Sequence, residues 1–501
     1  MRAGRGRAIS RRARKRKSGS AYMLRCAAVT PAHDLDRTHY RLTFGILAIA
    51  GASFALLQSL VAPALREIQL DLHTTTTGAT WILTAYLLSA SVATPIVGRL
   101  GDIYGKKKML VSALCALAVG TVISALATSI SVMIAGRVVQ GLGGAVFPLA
   151  FGIIRDEFPR ERVPTGIAMV SSILGIGAGL GIVLAGPIIE TFDYHWIFWF
   201  PLVPVLIAAA GAAFVIPESP VRAPGSVNWN GALLLAAWLV CLLVAVSEGS
   251  TWGWSSGRVL GLLAAAAVLL VVWIRVESAS SGPLVDMRMM RLRGVWTTNL
   301  SAMLIGFGMF GSFVLVPQFV QMPSSTGYGF DASVTEAGLF LFPSTVAMLL
   351  VSPLAGKLSY ALGSKLPLML GALVSASSFV LLAAAHSHRF EIYVATCLLG
   401  VGIGLAFSAM ANLIVEAVPR EQTGVASGMN TIMRTIGGAL GSQAAASVVA
   451  SSAVEGGLPT VDGFTAAFAL SAVAMLAAFA AAVAVPARER RSARLPALDE
   501  V

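Results

Sequence analysis

Charge is scarce in this chain of 501 residues: Asp, Glu, Lys and Arg make up 12% of it, about half the share of a soluble domain. Acids are the scarcer sign, 24 against 36 Lys and Arg, and none falls in the middle of an apolar run. Cysteine is limited to Cys26, Cys115, Cys241 and Cys397. No two are close in sequence, which argues against a disulfide framework and against a cysteine-bound metal. Neither HExxH nor G-x-x-x-x-G-K-[ST] occurs, so zinc hydrolysis and ATP-driven work have no motif to rest on. The six histidines (33, 39, 73, 195, 386 and 388) all lie in tails or between apolar runs. No enzyme is expected from this inventory, and no metal or cofactor. A sensor would need an appended soluble domain, and the longest basic loop, roughly 276–295, is too short for one.

What fills the chain instead is hydrocarbon, 56% hydrophobic residues and a mean hydropathy of +0.79. About 20 mostly apolar residues cross a bilayer as a helix. Polar punctuation divides the chain into fourteen such blocks, from 42–63, 79–98 and 109–128 to 427–449 and 464–485. The expected fold class is an all-α polytopic membrane protein lying in the lipid bilayer. The thirteenth block, rich in Gly, Ala and Ser, is the least apolar. Small residues let helices approach closely, so it is expected inside the bundle.

The formal charge of +12 suggests nucleic acid, but its distribution points elsewhere. Much of it sits in MRAGRGRAISRRARKRK, ahead of the first acid at Asp34. That tail reads as an arm drawn to anionic lipid, as an over-extended start with Met23 the true initiator, or as a transit peptide. Beyond it, Lys and Arg fall almost wholly on alternate loops. The exceptions are Arg66, Arg258 and Arg389 in the other loops, with Arg137 and Arg434 inside apolar blocks. The positive-inside rule then places both ends in the cytoplasm, which fourteen crossings allow.

The chain also repeats itself. GRLGDIYGKKK at 98 recurs as GKLSYALGSK at 356, and FPRERVPTGIA at 158 recurs as VPREQTGVA at 418. Two matches at nearly one offset relate blocks 1–6 to blocks 9–14 and leave blocks 7 and 8 as an insertion. The expected organisation is a tail 1–41, a six-helix bundle 42–217, inserted helices with their loops 218–294, a second bundle 295–485 and a tail 486–501. Such parallel repeats are a known plan for transporters.

The turn at 98 resembles the G-x-L-x-D-x-x-G-[RK]-[RK] signature of the major facilitator superfamily, and fourteen blocks resemble its drug:proton antiporter branch. RVVQGLGGA from Arg137, HWIFWFPLVP from His195 and SGMNTIMRTIGGALG from Ser427 are similar to its fourth, sixth and thirteenth helices. The resemblance spans about residues 41–485. Two features depart from it. Leu57, beside Gln58, stands where the first-helix motif has Asp. Gly181-Ile182 and Ala185-Gly186, with Pro187 displaced, stand where the fifth-helix motif has Gly-Pro and Gly-Gly.

The resemblance implies two half-bundles that alternate access, with a conformational latch at Gly98, Arg99, Asp102, Gly105, Lys106 and Lys107. Asp102 is expected to meet the start of helix 13 near Ala426 to Gly428, while Tyr360, its match in the repeat, cannot. Gly98 and Gly101 suit close contact, Gly105 suits a positive φ, and Lys106 to Lys108 should hold the loop in the cytoplasm. For a substrate or proton pathway the candidates are Gln58, Tyr86, Arg137, Gln140 and Arg434. Charges at this depth cost roughly 2.5–3.5 kcal/mol and need partners. Arg137 can use Gln58, Gln140, carbonyls or a substrate anion, or be purely structural. Met303, Phe307, Met309, Phe310 and Phe313, with Phe54, Trp81 and Tyr86, either line a pocket or pack. The expected function is a monomeric exporter of amphiphilic or cationic small molecules, with protons as coupling ion, in a bacterial inner membrane. The alternative is a carrier of an endogenous metabolite, lipid or siderophore with other coupling. Nucleic acid is not an expected partner.

Overall fold

A computed structural model describes residues 39–223, 225, 227–453 and 458–486. The basic tail before residue 39 and the tail after 486 lie outside the described residues. Every regular element described is helical. The first six long helices are α1 (His39–Ser59), α2 (Thr76–Tyr104), α3 (Lys106–Ala125), α4 (Ile130–Glu157), α5 (Val163–Thr191) and α6 (Trp196–Phe214). Then come α7 (Trp229–Ser247) and α8 (Gly257–Ala279). The last six are α9 (Arg293–Val320), α10 (Val334–Leu362), α11 (Lys365–Ala384), α12 (Arg389–Ala417), α13 (Thr423–Ser451) and α14 (Val461–Val483).

Lipid cannot satisfy a free N–H or C=O, so the spans must be helices, and their ends are marked by polar caps. Thr75, Ser129, Ser256 and Thr460 each accept a backbone N–H three residues on, and Ser333 forms a capping box with Glu336. At the opposite end two turns pass through glycines of positive φ: Gly105 (119°) between α2 and α3, and Gly363 (86°) between α10 and α11. These glycines are matched positions of the repeat. The end of the bundle that holds them also carries Lys107 and Lys108, and it is called the basic end below.

Thirteen of the long helices are apolar enough to cross a membrane. α13 has the length, 29 residues, but is less apolar. Its glycines explain where it sits: Gly437 and Gly441 lie against the carbonyls of Met303 and Phe307 on α9, contact too close for any larger residue. Helix α12 is the most covered, with 89% of its apolar stretch buried, and inserted α8 the least, with 17%. Lipid is therefore the natural partner of α8. The halves meet chiefly where α2 packs on α13 and α5 on α10, and also where α5 meets α12 and α4 meets α13, while α7 packs on both α2 and α13.

Three details differ from the sequence expectation. The first apolar block does not run to residue 63: α1 stops at Ser59, and Val61–Asp71 is a separate, amphipathic helix. Helix α4 is interrupted by a 3-10 turn at Leu142–Ala145, where Gly144 lies against Ala90 and Thr94 of α2. Lys106 to Lys108 belong to the first turn of α3 rather than to a solvated loop.

Candidate functional site

Helix α13 begins without a cap of its own: Gln422, at its N-cap, makes no side-chain bond to the first turn. Its orphan N–H groups are satisfied from the other half of the molecule. Gly424 N–H donates to Asp102 Oδ1 and Val425 N–H to Asp102 Oδ2, both at 3.1 Å. A carboxylate there also meets the positive end of the helix dipole, worth up to about 2 kcal/mol when buried. Asp102 has no exposed surface. The approach depends on two glycines. A Cβ on Gly98 would stand 2.7 Å from the Gly424 carbonyl oxygen, and one on Gly424 would stand 2.5 Å from that of Gly98. Asp102 was expected near Ala426 to Gly428; it lands just ahead of that stretch, on Gly424 and Val425.

The repeat brings Gly356 of α10 against Thr165 of α5 in the same manner, but Tyr360 is 55% exposed and α5 has no side-chain cap. The acidic contact is one-sided, as Tyr360 requires. Beside it stands a residue that sequence reasoning missed. Arg155, in the last turn of α4, donates to the carbonyls of Val418 (2.8 Å) and Pro419 (3.2 Å) and to Thr423 Oγ1 (2.6 Å). It thus holds the end of α12 while Asp102 holds the start of α13.

Lys106 does not face solvent. Its Nζ lies 2.6 Å from Asp156 Oδ2 with both side chains 1% exposed, and its stem crosses Gly152. The linker after α6 is built into the same corner. Ser219 Oγ donates to Asp156 Oδ2 at 2.5 Å, Lys107 N–H donates to Glu218 Oε1 at 3.2 Å, and Ala223 N–H donates to the Asp102 carbonyl at 2.6 Å. Arg99 is buried there too, and its Nε has no partner among the described residues. In the repeat, Ser364 and Glu416 take the places of Lys106 and Asp156, joined by a 3.3 Å hydrogen bond.

Deeper in, Arg137 is wholly buried, with Nε and Nη1 bonded and Nη2 without a partner among the described residues. Its Nε donates to the Ile82 carbonyl (3.2 Å), and Nη1 donates to the Leu57 carbonyl (3.1 Å) and to Gln140 Oε1 (2.7 Å). Gln140 Nε2 donates onward to Thr121 at 2.8 Å. The guanidinium lies 4.1 Å over the ring of Tyr86. Gln58 is not one of its partners, which corrects that pairing; instead the backbone of Leu57 supplies an acceptor at the position where the resembling motif has Asp.

Between the halves lies a cavity of about 330 Å³, within the range of pockets for drug-sized molecules, roughly 300–1,000 Å³. Phe54, Tyr86 and Phe147 line one wall and Met309, Phe310 and Phe313 the other, with Gln58, Thr431, Thr435 and Ser442 as polar points. Among the described residues, Arg434 is the one charged residue on its lining. A narrower cleft past Phe407, Ser427 and Asn430 leads from Arg434 toward the basic end. Arg137 and Gln140 are not on the lining. Nor are Trp81, Met303 and Phe307; the backbones of the last two pack on α13. Sequence candidates therefore divide: Gln58, Tyr86 and Arg434 share the cavity, while Arg137 and Gln140 form a buried brace behind Tyr86.

Comparison with known sequences agrees with this architecture. The profile of the Major Facilitator Superfamily matches residues 47–442, and again residues 298–500. The chain belongs to the Major Facilitator Superfamily. It is 28% identical over 366 residues to the multidrug transporter protein MdtP of Bacillus subtilis, covering 72% of this chain and 66% of that one, just under two thirds. It is 29% identical over 419 residues to the tetracenomycin C resistance and export protein of Streptomyces glaucescens, covering 83% and 76%. The fold is shared with the human organic anion transporter MFSD10, at a TM-score of 0.60 and 16% identity over 89% of this chain and 99% of that one. The protein is a multi-pass membrane protein of this transporter superfamily.

Proposed function

We propose that the protein is a secondary active exporter of amphiphilic small molecules, working as a monomer by alternating access and driven by protons. The observation that carries this is the cavity between two half-bundles, closed toward the basic end by the contacts of Asp102 and Arg155. Both walls come from one chain, so a single copy suffices. The Lys and Arg bias supports a cytoplasmic basic end, with both termini on that side. The name of the Streptomyces glaucescens relative, a resistance and export protein, supports export, and the bacterial source of both relatives supports a bacterial membrane.

The described state is then shut toward the cytoplasm. Up to about 2 kcal/mol at Asp102 biases the two conformers by roughly thirtyfold, strong enough to select one and weak enough to be overcome. Protonating Asp102 removes an acceptor and its charge and so favours opening inward. An exporter needs that sign, since a proton taken up while the molecule is shut to the cytoplasm must ride inward.

The test uses inverted membrane vesicles energised to an acidic interior, with fluorescent dyes of either charge outside. Dye uptake that collapses when an uncoupler is added is expected. Uptake that ignores the uncoupler removes the proton, and the absence of uptake for every dye removes the export reading.

A further inference from the structure

We infer that the cavity selects organic anions, an aromatic or branched body against its walls and a carboxylate or sulfonate on Arg434; this rests on the exporter reading above. The argument begins with the contrast between the two arginines inside the membrane. Arg137 is held through Nε and Nη1 by two carbonyls and Gln140, and it stays off the cavity lining. Arg434 is on the lining of both the cavity and the cleft below it. Its side chain makes no hydrogen bond or ion pair among the described residues, and its one marked neighbour is the ring of Phe407, 4.7 Å beneath the guanidinium.

A cation held in a membrane needs partners, an opposite charge or backbone carbonyls, and the Arg434 side chain has neither among the described residues. Among the described residues no acid lines the cavity or the cleft, which leaves the counter-charge to the bound molecule. The arginine fork matches two oxygens of a carboxylate or sulfonate. A second donor is in place. The hydroxyl of Tyr86 is buried without a partner among the described residues, and Tyr86 lines the same cavity. A guanidinium over the face of that ring draws on its electron density and favours the hydroxyl as donor rather than acceptor. The hydroxyls of Thr431 and Thr435, flanking Arg434, already donate to the carbonyls of Ser427 and Thr431. An organic cation would meet aromatic faces here but no carboxylate, and it would share the cavity with Arg434.

The position of Arg434 also ties the bound anion to the gate. It sits on α13, whose first turn Asp102 holds, about 15 Å further along the same rigid helix. An anion drawing Arg434 therefore acts on the element that closes the basic end.

The experiment compares a naphthalene sulfonate with a naphthyl-ammonium of the same size, using full-length protein in inverted vesicles and in detergent. The wild type is expected to transport the sulfonate in preference to the ammonium. Arg434→Gln should raise the sulfonate KM and Kd by at least about tenfold, Arg434→Lys should recover most of that, and Tyr86→Phe should give a smaller rise. If Arg434→Gln does not reach the membrane, the wild type decides through competition: the sulfonate must displace bound dye and the ammonium must not. Transport of the ammonium as fast as the sulfonate, or an unchanged sulfonate KM in Arg434→Gln, overturns the anion assignment and leaves export standing. Transport of neither overturns export and the assignment with it.

Discussion

Asp102 and Lys106 flank Gly105 and are equally buried, yet their charges are met in different ways. The carboxylate is met by two backbone N–H groups of the opposite half, the ammonium by a carboxylate of its own half. Their substitutions should therefore fail differently. Asp102→Asn keeps the size but loses the charge and places an amide NH2 against an N–H, so the closed conformer loses up to about 2 kcal/mol. Transport should fall sharply while the amount of protein in the membrane, read from a fluorescent fusion, stays near normal. Lys106→Met leaves Asp156 buried without its cation, a loss of about 3–5 kcal/mol. It should lower the melting temperature in detergent, and adding Asp156→Leu should restore most of it. At this scale the sequence made Asp102 legible, with its partner helix and nearly its partner residues, because the G-x-L-x-D-x-x-G spacing is distinctive. It hid the Lys106–Asp156 pair and Arg155. Three lysines in a row, and Arg-Asp-Glu at a helix end, read as solvated charge, and only the packing of α3, α4 and the 218–223 linker removes water from them.

Helix α13 joins the parts of the mechanism. Its start accepts the Asp102 cap, its middle carries Arg434, and its glycines seat it on α9. That it lies inside was readable from its composition, since a run so rich in Gly, Ala and Ser gains little from facing lipid. The interruption of α4 and the Val61–Asp71 helix were not readable in the same way. The first is set by the approach of Gly144 to α2, a tertiary demand, and the second is amphipathic and short, invisible to a search for apolar length. The closeness of α2 and α13 makes a prediction at this scale. Gly98→Val pushes a side chain into the backbone of Gly424, where nothing flexible can yield, so the two helix ends must part. A cysteine placed at Ser427, which is buried, should react with a polar thiol reagent at least about tenfold faster in that background, since the rate tracks the open population. An unchanged rate would show that the glycine contact is not what shuts this end.

For the whole molecule, the repeat and the alternation of Lys and Arg made the plan of two six-helix halves and an inserted pair legible without coordinates. What the inserted pair touches was not legible. The end of α7 stands between the halves, where Ser247 Oγ lies 3.3 Å from Thr84 Oγ1 of α2 and the Ser247 carbonyl accepts from Gln443 Nε2 of α13 at 3.2 Å. Inserted helix and gate therefore bear on the same two helices, α2 and α13, at opposite ends. The account of the molecule as two halves shut at the basic end by Asp102 is tested most directly by a distance. Spin labels at Tyr104→Cys and Arg420→Cys, in a chain otherwise free of cysteine, report the separation of the halves at that end by pulsed electron resonance. The account predicts a mainly short separation with Asp102 intact and a shift of the population to a longer one on adding Asp102→Asn. The same distribution in both would contradict it.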